Sequence, residues 1–226
     1  MAPPRKKEMC YVIISARSLT WFLLTIFATM LAMVSLFTPY WLIAPNPSEI
    51  EAGNHTILRF PSFGLSSRCK KISSGDFECS TFPLTTANEI FPLCWKISYI
   101  FMAVGFFILG VTSVFSLLSF CRQSLFGKSL HSVTGSLQIL SGIFVMVAIF
   151  TYPIGWDAER VAVVCHDISP FYPGECSLGY SFYSSILLII TSFICGFLSL
   201  KAEKASMNPS IQRRIEEGNE RLVFAP

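Results

Sequence analysis

Four long apolar segments without a charged residue constrain the fold of this chain more than any other feature. They cover residues 19–43, 97–121, 130–152 and 178–200, and none contains Asp, Glu, Lys or Arg. A helix needs about 20 predominantly apolar residues to cross a hydrocarbon core. Because these segments lack the polar alternation of barrel strands, they favour helices. The sequence therefore predicts four transmembrane helices.

The composition agrees with this prediction and excludes other classes of protein. Hydrophobic residues make up 52% of the chain and charged residues only 14%, whereas a soluble domain carries about 25% charged residues. An intrinsically disordered chain would be poor in apolar residues. A net charge of +3 does not supply the dense basic face of a nucleic-acid-binding protein. We therefore predict an integral membrane protein in contact with lipid, with no nucleic-acid partner.

Lys and Arg residues predict how the spans are oriented, because they concentrate on the cytosolic side of membrane proteins. Segments 1–18, 122–129 and 201–226 together carry 11 of the 17. The two larger loops, 44–96 and 153–177, carry the other 6. We therefore predict that both termini are cytosolic and that the two loops are extracellular or lumenal. The plasma membrane and the secretory or endosomal membranes fit this topology.

Four of the eight cysteines fall in the two predicted outer loops. These are Cys69, Cys79, Cys165 and Cys176, and oxidising surroundings make disulfides the default there. Four cysteines allow three connectivities, of which the short-range set, Cys69–Cys79 with Cys165–Cys176, is the simplest. The spacings differ from the C-x2-C of zinc and redox sites.

Three further residues are candidates for modification. Asn54 begins the sequon Asn54-His55-Thr56 in the first outer loop, whereas Pro blocks the two other Asn-x-Ser patterns. We expect glycosylation at Asn54. Cys10 and Cys121 lie at the predicted cytosolic boundary, and position alone makes them candidates for palmitoylation.

Motifs in the outer loops resemble known families. Trp41 at the end of the first span, then Gly64-Leu65 and a C-x9-C pair, resembles the claudin-like superfamily, with Ser66 at the place of the usual Trp. The second loop reads YPIGW from Tyr152, then Cys165, then PGECSLGY from Pro173. It resembles the lipoma HMGIC fusion partner-like tetraspan family, with Tyr180 for the more usual Trp. The resemblance runs from about residue 9 to 222 and is carried by Trp41, Gly64, Leu65, Tyr152, Pro153, Gly155, Trp156, Gly174, Leu178 and Gly179.

This resemblance implies a fold and a function. The fold is membrane α-helical, a left-handed bundle of four transmembrane helices with a small extracellular antiparallel β-sheet. The implied function is that of an accessory subunit. Some relatives bind the membrane-proximal parts of partner proteins, among them an inhibitory receptor channel and a mechanosensory protocadherin. The identity of a partner does not carry over from the family.

Catalytic chemistry has little support in the sequence. The polar residues of the spans are chiefly Gln138 and scattered Ser and Thr, with His131 at the entry of the third span. Such side chains usually hydrogen-bond their own backbone or a neighbouring helix. Transporters keep ionisable residues within the membrane. The three His are too scattered for a metal site, and we expect no cofactor. Asp157 is expected to cap a short helix over residues 158–164.

Our leading hypothesis is a non-catalytic accessory or scaffold subunit that binds a larger transmembrane protein and helps its assembly or traffic. The sequence also leaves open whether the chain forms homo-oligomers. The alternative is a claudin-like adhesion or barrier protein. A membrane enzyme or transporter is a remote alternative.

Overall fold

Four long helices form the body of the computed structural model, which describes residues 12–52, 55–71, 77–81, 92–119, 124–125, 128–206 and 222–225. The long helices are α1 (Ala16–Phe37), α2 (Leu93–Leu118), α3 (Leu130–Thr151) and α5 (Tyr180–Ser206), and a short α4 (Glu159–Cys165) lies between the last two. All four long helices are long and apolar enough to cross a membrane. α1 packs against α2 and α5, and α3 packs against the same two helices. The predicted four-helix membrane bundle is confirmed.

The first helix ends before the predicted end of its span at residue 43. α1 ends at Phe37, and Leu42–Ile43 form the short strand β2. Pro39 explains the difference, because proline has no N–H for the helix and disfavours helical geometry at the residue before it. The last helical bond in this turn runs from the Thr38 N–H to the Val34 carbonyl (3.1 Å).

A small antiparallel sheet lies at the end of the bundle where α1 ends, as predicted. Its strand order is β10-β2-β5-β6-β7. The other members are β5 (Ser62–Phe63), β6 (Ser67–Lys71), β7 (Phe77–Thr81) and β10 (Ser177–Leu178). Because β10 belongs to the second loop and the other strands to the first, the sheet joins the two loops.

Three further pairs of strands lie outside this sheet in the described part of the chain, and a 3-10 turn, Pro153–Gly155, follows α3. A separate hairpin in the first loop pairs β3 (Ser48–Ala52) with β4 (His55–Arg59). At the opposite end of the bundle, β1 (Val12–Ser15) runs parallel to β11 (Leu222–Ala225). Two short strands, β8 (Ser124–Leu125) and β9 (Lys128–Ser129), pair between α2 and α3.

The predicted capping role of Asp157 is wrong. α4 begins at Glu159, and Ala158 occupies the N-cap position without a side-chain cap bond. Asp157 therefore lies one residue too early to reach the first free N–H groups of this helix, and its side chain is exposed.

Buried polar side chains in the helices mostly bond to their own backbone, as expected for membrane helices. Thr25 donates to the Trp21 carbonyl, Thr191 to the Leu187 carbonyl, and Thr134 to the carbonyl one turn before it. These bonds satisfy the hydroxyl groups locally, so most of the polar content of the spans needs no partner from another helix.

Candidate functional site

The family-motif residues converge where the sheet meets the ends of the helices, a region we call the sheet junction. Most of its members are buried, namely Trp41, Gly64, Leu65, Tyr152, Pro153, Gly155, Trp156 and Gly179. Two members are partly buried, Gly174 and Leu178. The structure thus brings together residues from both loops and from the ends of α1 and α3.

Tyr152 lies at the centre of an aromatic group in the sheet junction. Its ring centroid is 4.9 Å from that of Trp41 and 4.9 Å from that of Trp95, with Trp95 stacked at 22°. Trp156 meets it edge-on at 6.2 Å. Such pairs add attraction beyond their buried area, worth about 1 kcal/mol each. The group therefore ties the first loop, α2 and the end of α3 into one core.

The end of α1 depends on side chains that replace a missing backbone donor. The Ser35 carbonyl would normally accept from residue 39, but Pro39 has no N–H. The indole N–H of Trp41 donates to that carbonyl instead, at 2.7 Å. The next carbonyl, that of Leu36, accepts from the Ser66 hydroxyl at 2.8 Å. Ser66 thus has a structural role at the position where the claudin pattern has Trp.

Glycines in the sheet junction allow a close approach of backbone and rings. A Cβ on Gly64 would lie 2.6 Å from the Pro39 Cα, and one on Gly155 would lie 2.8 Å from the Trp95 ring. A Cβ on Gly179 would overlap the Tyr40 carbonyl oxygen. These motif glycines therefore permit the sheet to sit directly on the helix ends.

Disulfides hold both loops. Cys69 and Cys79 are opposite each other on β6 and β7 and are bonded, and Cys165 is bonded to Cys176. This is the short-range set of the three connectivities. Gly174, beside the second bridge, has φ +60°, and a Cβ there would overlap the carbonyl oxygen of His166. A residue with a side chain would be strained at this position.

Several predicted sites are not part of the sheet junction. Asn54, Cys10 and Cys121, the candidates for modification, lie outside the described residues. Trp95 and Ser66 belong to the junction but were missed as site residues. The signal for Trp95 was an aromatic residue at the mouth of a span, where Trp is common.

A second group of side chains, the polar cluster, lies in the half of the bundle away from the sheet. The Gln138 side chain accepts from the Trp21 indole N–H at 3.2 Å and donates to the Thr25 hydroxyl at 2.7 Å. His131 meets the Trp21 ring edge-on at 4.9 Å. Gln138 therefore joins α3 to α1, the neighbouring-helix bond that its position in a span allowed.

The two regions differ in the chemistry of their side chains. Within the described ranges, no three His, Cys, Asp or Glu side chains come together as a metal site would require. The sheet junction is aromatic, aliphatic and glycine-rich, and it can hold the loops at a fixed position above the helices. Its chemistry is that of a rigid platform.

Comparison with known proteins agrees with the motifs. The family described as lipoma HMGIC fusion partner-like protein matches residues 17–202. The LHFPL tetraspan subfamily member 2 protein of Homo sapiens is 33% identical over 222 residues, covering 93% of this chain and 97% of that one. Member 2a of Danio rerio is 31% identical, with coverage of 93% and 97%. Member 5 of Gallus gallus is 28% identical, with coverage of 91% and 90%.

The sequence ends had indicated the same branch of relatives. Arg17-Ser18 before the first span and Glu216-Glu217-Gly218 in the tail are similar to the second vertebrate member. The similarity to member 2 and member 2a proteins confirms that resemblance.

Proposed function

Because the chain belongs to the lipoma HMGIC fusion partner-like tetraspan family, we propose that it is a non-catalytic accessory subunit of a larger membrane protein. It binds that protein through its loops or one helix face and helps its assembly or traffic. The sheet junction carries this proposal. Most of its motif residues are buried, so their role is to position the loops and not to contact a partner.

A fixed loop platform suits this work for a physical reason. Binding costs less free energy when the contact surface is already ordered before the partner arrives. The aromatic group around Tyr152, the disulfides and the close-packed glycines all order the loops relative to the helices. A membrane partner would then meet the loops and the helices at one defined angle.

The topology that goes with this function has both termini in the cytosol and the sheet outside or in the lumen. The excess of Lys and Arg in segments 1–18, 122–129 and 201–226 supports it. Disulfides in both sheet-side loops support it as well, because they persist in oxidising compartments. Glycosidase-sensitive mass that is lost with Asn54→Gln would test the orientation directly.

Partner identification is the experiment that tests the function. The full chain would be purified in a mild detergent from cells that express it, with proximity labelling as a second, independent readout. A reproducible larger membrane protein in both readouts is the expected result. An unrelated four-span protein at matched expression is the control. A chain that stays monomeric with no such partner would refute the proposal.

Claudin-like adhesion is the second candidate, favoured by one observation. Phe171 and Tyr172 of the second loop are both more than half exposed, and such side chains could meet a protein on an opposing cell. Expression in cells that lack junctions separates the two candidates. Strands at cell contacts would support adhesion, whereas diffuse surface staining would leave the accessory role.

A further inference from the structure

The second loop contains a tight turn over residues 169–172, which we call the aromatic turn. The Ser169 N–H donates to the Tyr172 carbonyl at 3.1 Å, and the Tyr172 N–H donates back to the Ser169 carbonyl at 2.9 Å. Pro170 and Phe171 are the two residues between them. This two-residue connection places Phe171 at its tip, with Tyr172 directly after it.

The backbone at Phe171 has a geometry that suits glycine. Its φ is +65°, in the left-handed region that large side chains rarely adopt. A turn with Pro at its first central position and a positive φ at its second normally has glycine at that second position. Phe171 occupies it here. The chain therefore carries a strained phenylalanine where glycine would fold at lower cost.

Packing within the chain does not account for that phenylalanine. Phe171 is 59% exposed and Tyr172 is 58% exposed. A strained backbone that presents an exposed aromatic side chain indicates a role outside the fold. Phe and Tyr are also enriched in protein interfaces, and Tyr is among the residues that dominate their energy.

The aromatic turn is ordered before any partner arrives. The Phe171 N–H bonds to the Pro153 carbonyl at 3.4 Å, which anchors the turn to the end of α3. The Cys165–Cys176 disulfide closes the loop on either side of it. The Glu175 N–H bonds to the Cys165 carbonyl at 2.8 Å, which fixes the returning strand.

The charged side chains of the second loop, whose exposed acidic members we call the acidic rim, indicate what could cover the aromatic turn. Four acidic side chains of the second loop are exposed: Asp157, Glu159, Asp167 and Glu175. The loop has a single strongly basic residue, Arg160. Lipid phosphates would repel this rim, so insertion into the headgroup layer is disfavoured. A protein surface with Lys and Arg around an apolar pocket would attract it.

We propose that the aromatic turn is the docking knob for the membrane partner, with Phe171 and Tyr172 entering an apolar pocket rimmed by Lys and Arg on the partner's extracellular side. This inference rests on the accessory role proposed above. The acidic rim steers the approach and sets the orientation, and the aromatic pair supplies most of the affinity.

Phe171→Gly separates docking from folding. Glycine suits the positive φ, so the variant should melt at the same or a higher temperature and reach the surface normally. Recovery of the partner identified with the wild type should fall by about tenfold or more. Phe171→Trp keeps an aromatic side chain and should retain binding. Phe60→Ala, which removes an exposed aromatic residue of the first loop, is the matched control and should bind as the wild type does.

The charge rim is tested in the same assay. Asp157→Lys together with Glu175→Lys should weaken recovery, and reversal of the partner's basic residues to Glu should restore it. Unchanged recovery by Phe171→Gly would overturn the docking knob while the accessory role stands. Absence of any membrane partner for the wild type would overturn both.

A photo-crosslinking residue at position 171 distinguishes the other occupants of the aromatic turn. Adducts with the extracellular part of the identified partner, near Lys or Arg, support the proposal. Adducts with lipid alone would assign the turn to the membrane interface. Adducts with a second copy of this chain would assign it to self-association. Either of the last two results overturns the proposal.

Discussion

The two ends of the helix bundle are both built around tryptophan, but their indole N–H groups have different kinds of partner. In the sheet junction, Trp41 and Trp95 donate to main-chain carbonyls, those of Ser35 and Tyr152. In the polar cluster, Trp21 donates to a side chain, Gln138. A main-chain carbonyl is present whatever residue occupies the position, whereas a side-chain acceptor disappears with one substitution. The sheet junction is therefore tied to the backbone, and the polar cluster to the choice of side chains.

The two ends also differ in the covalent cross-links that stabilise them. The sheet junction has two disulfides and glycines whose hydrogens face backbone or ring atoms. The half of the bundle with the polar cluster also has close-packed glycines, Gly135 on α3 and Gly196 on α5, but its cysteine Cys195 is free. The polar cluster itself depends on hydrogen bonds within the membrane, which are worth about 0.6 kcal/mol on average. The comparison predicts that equivalent substitutions cost more at the sheet junction.

The largest effect should follow from Cys165→Ser. The bridge closes a short loop, and its loss should lower the free energy of unfolding by about 3 kcal/mol. Both of its cysteines are buried, so the free thiol of Cys176 would also disturb the core. We expect retention inside the cell and little surface protein, measured by glycosidase sensitivity and surface labelling. Cys195→Ser, at a cysteine that is free, is the control, and equal surface delivery of the two variants would contradict the prediction.

Gly179→Ala should have the next largest effect. The new Cβ would overlap the Tyr40 carbonyl oxygen, and because a backbone atom cannot rotate away, we expect a cost of about 3 kcal/mol. Gly110→Ala is the matched control, since a Cβ there would meet nothing within 4 Å. It should be neutral or slightly stabilising, because alanine favours helix over glycine. Melting temperatures in a mild detergent would compare them, and similar values would show that the sheet does not sit on the helix end as described.

The sequence was sufficient for the fold class but not for the site geometry. Apolar length alone predicted the four helices, because a membrane leaves a chain few other choices. The break at Pro39 was readable in principle, since proline ends helices. The replacement donor from Trp41 was not, because no local rule pairs an indole with a carbonyl of the preceding helix.

Long-range partners explain what else could not be predicted. Ser66 was noted only as a departure from the claudin pattern, yet its hydroxyl bonds to the Leu36 carbonyl. For Gln138 the sequence left open a bond to its own backbone or to a neighbouring helix, and it did not identify Trp21 and Thr25 as the partners. Both pairings depend on how the helices rotate against each other, and helical periodicity alone does not determine that rotation.

The same substitution at each end should give a smaller but more direct comparison. Trp41→Phe would leave the Ser35 carbonyl without a donor, because Pro39 has none to give, and we expect a cost of about 2 kcal/mol. Trp21→Phe would leave the Gln138 side-chain oxygen unpaired. It should cost about 1 kcal/mol or less, because amides in membrane helices find other partners. Melting temperatures of the two variants would be compared, and a lower value for Trp21→Phe would reverse the ranking of the two ends.

The smallest effect should follow from Gln138→Leu. Leucine fills a similar volume but removes both hydrogen bonds, so the Trp21 indole and the Thr25 hydroxyl each lose one partner. The Thr25 hydroxyl still donates to the Trp21 carbonyl at 2.8 Å, which limits the loss.

We expect a cost of about 0.6 kcal/mol for Gln138→Leu, within the usual range for polar contacts between membrane helices. Thr25→Val removes the acceptor of the Gln138 amide and also the bond that Thr25 donates to the Trp21 carbonyl, so it should cost at least as much. A lower melting temperature of Gln138→Leu with unchanged recovery of the partner would show that the polar cluster has a structural role only. A variant that melts normally but loses the partner would instead mean that this end of the bundle, and not the sheet junction alone, sets the geometry of docking.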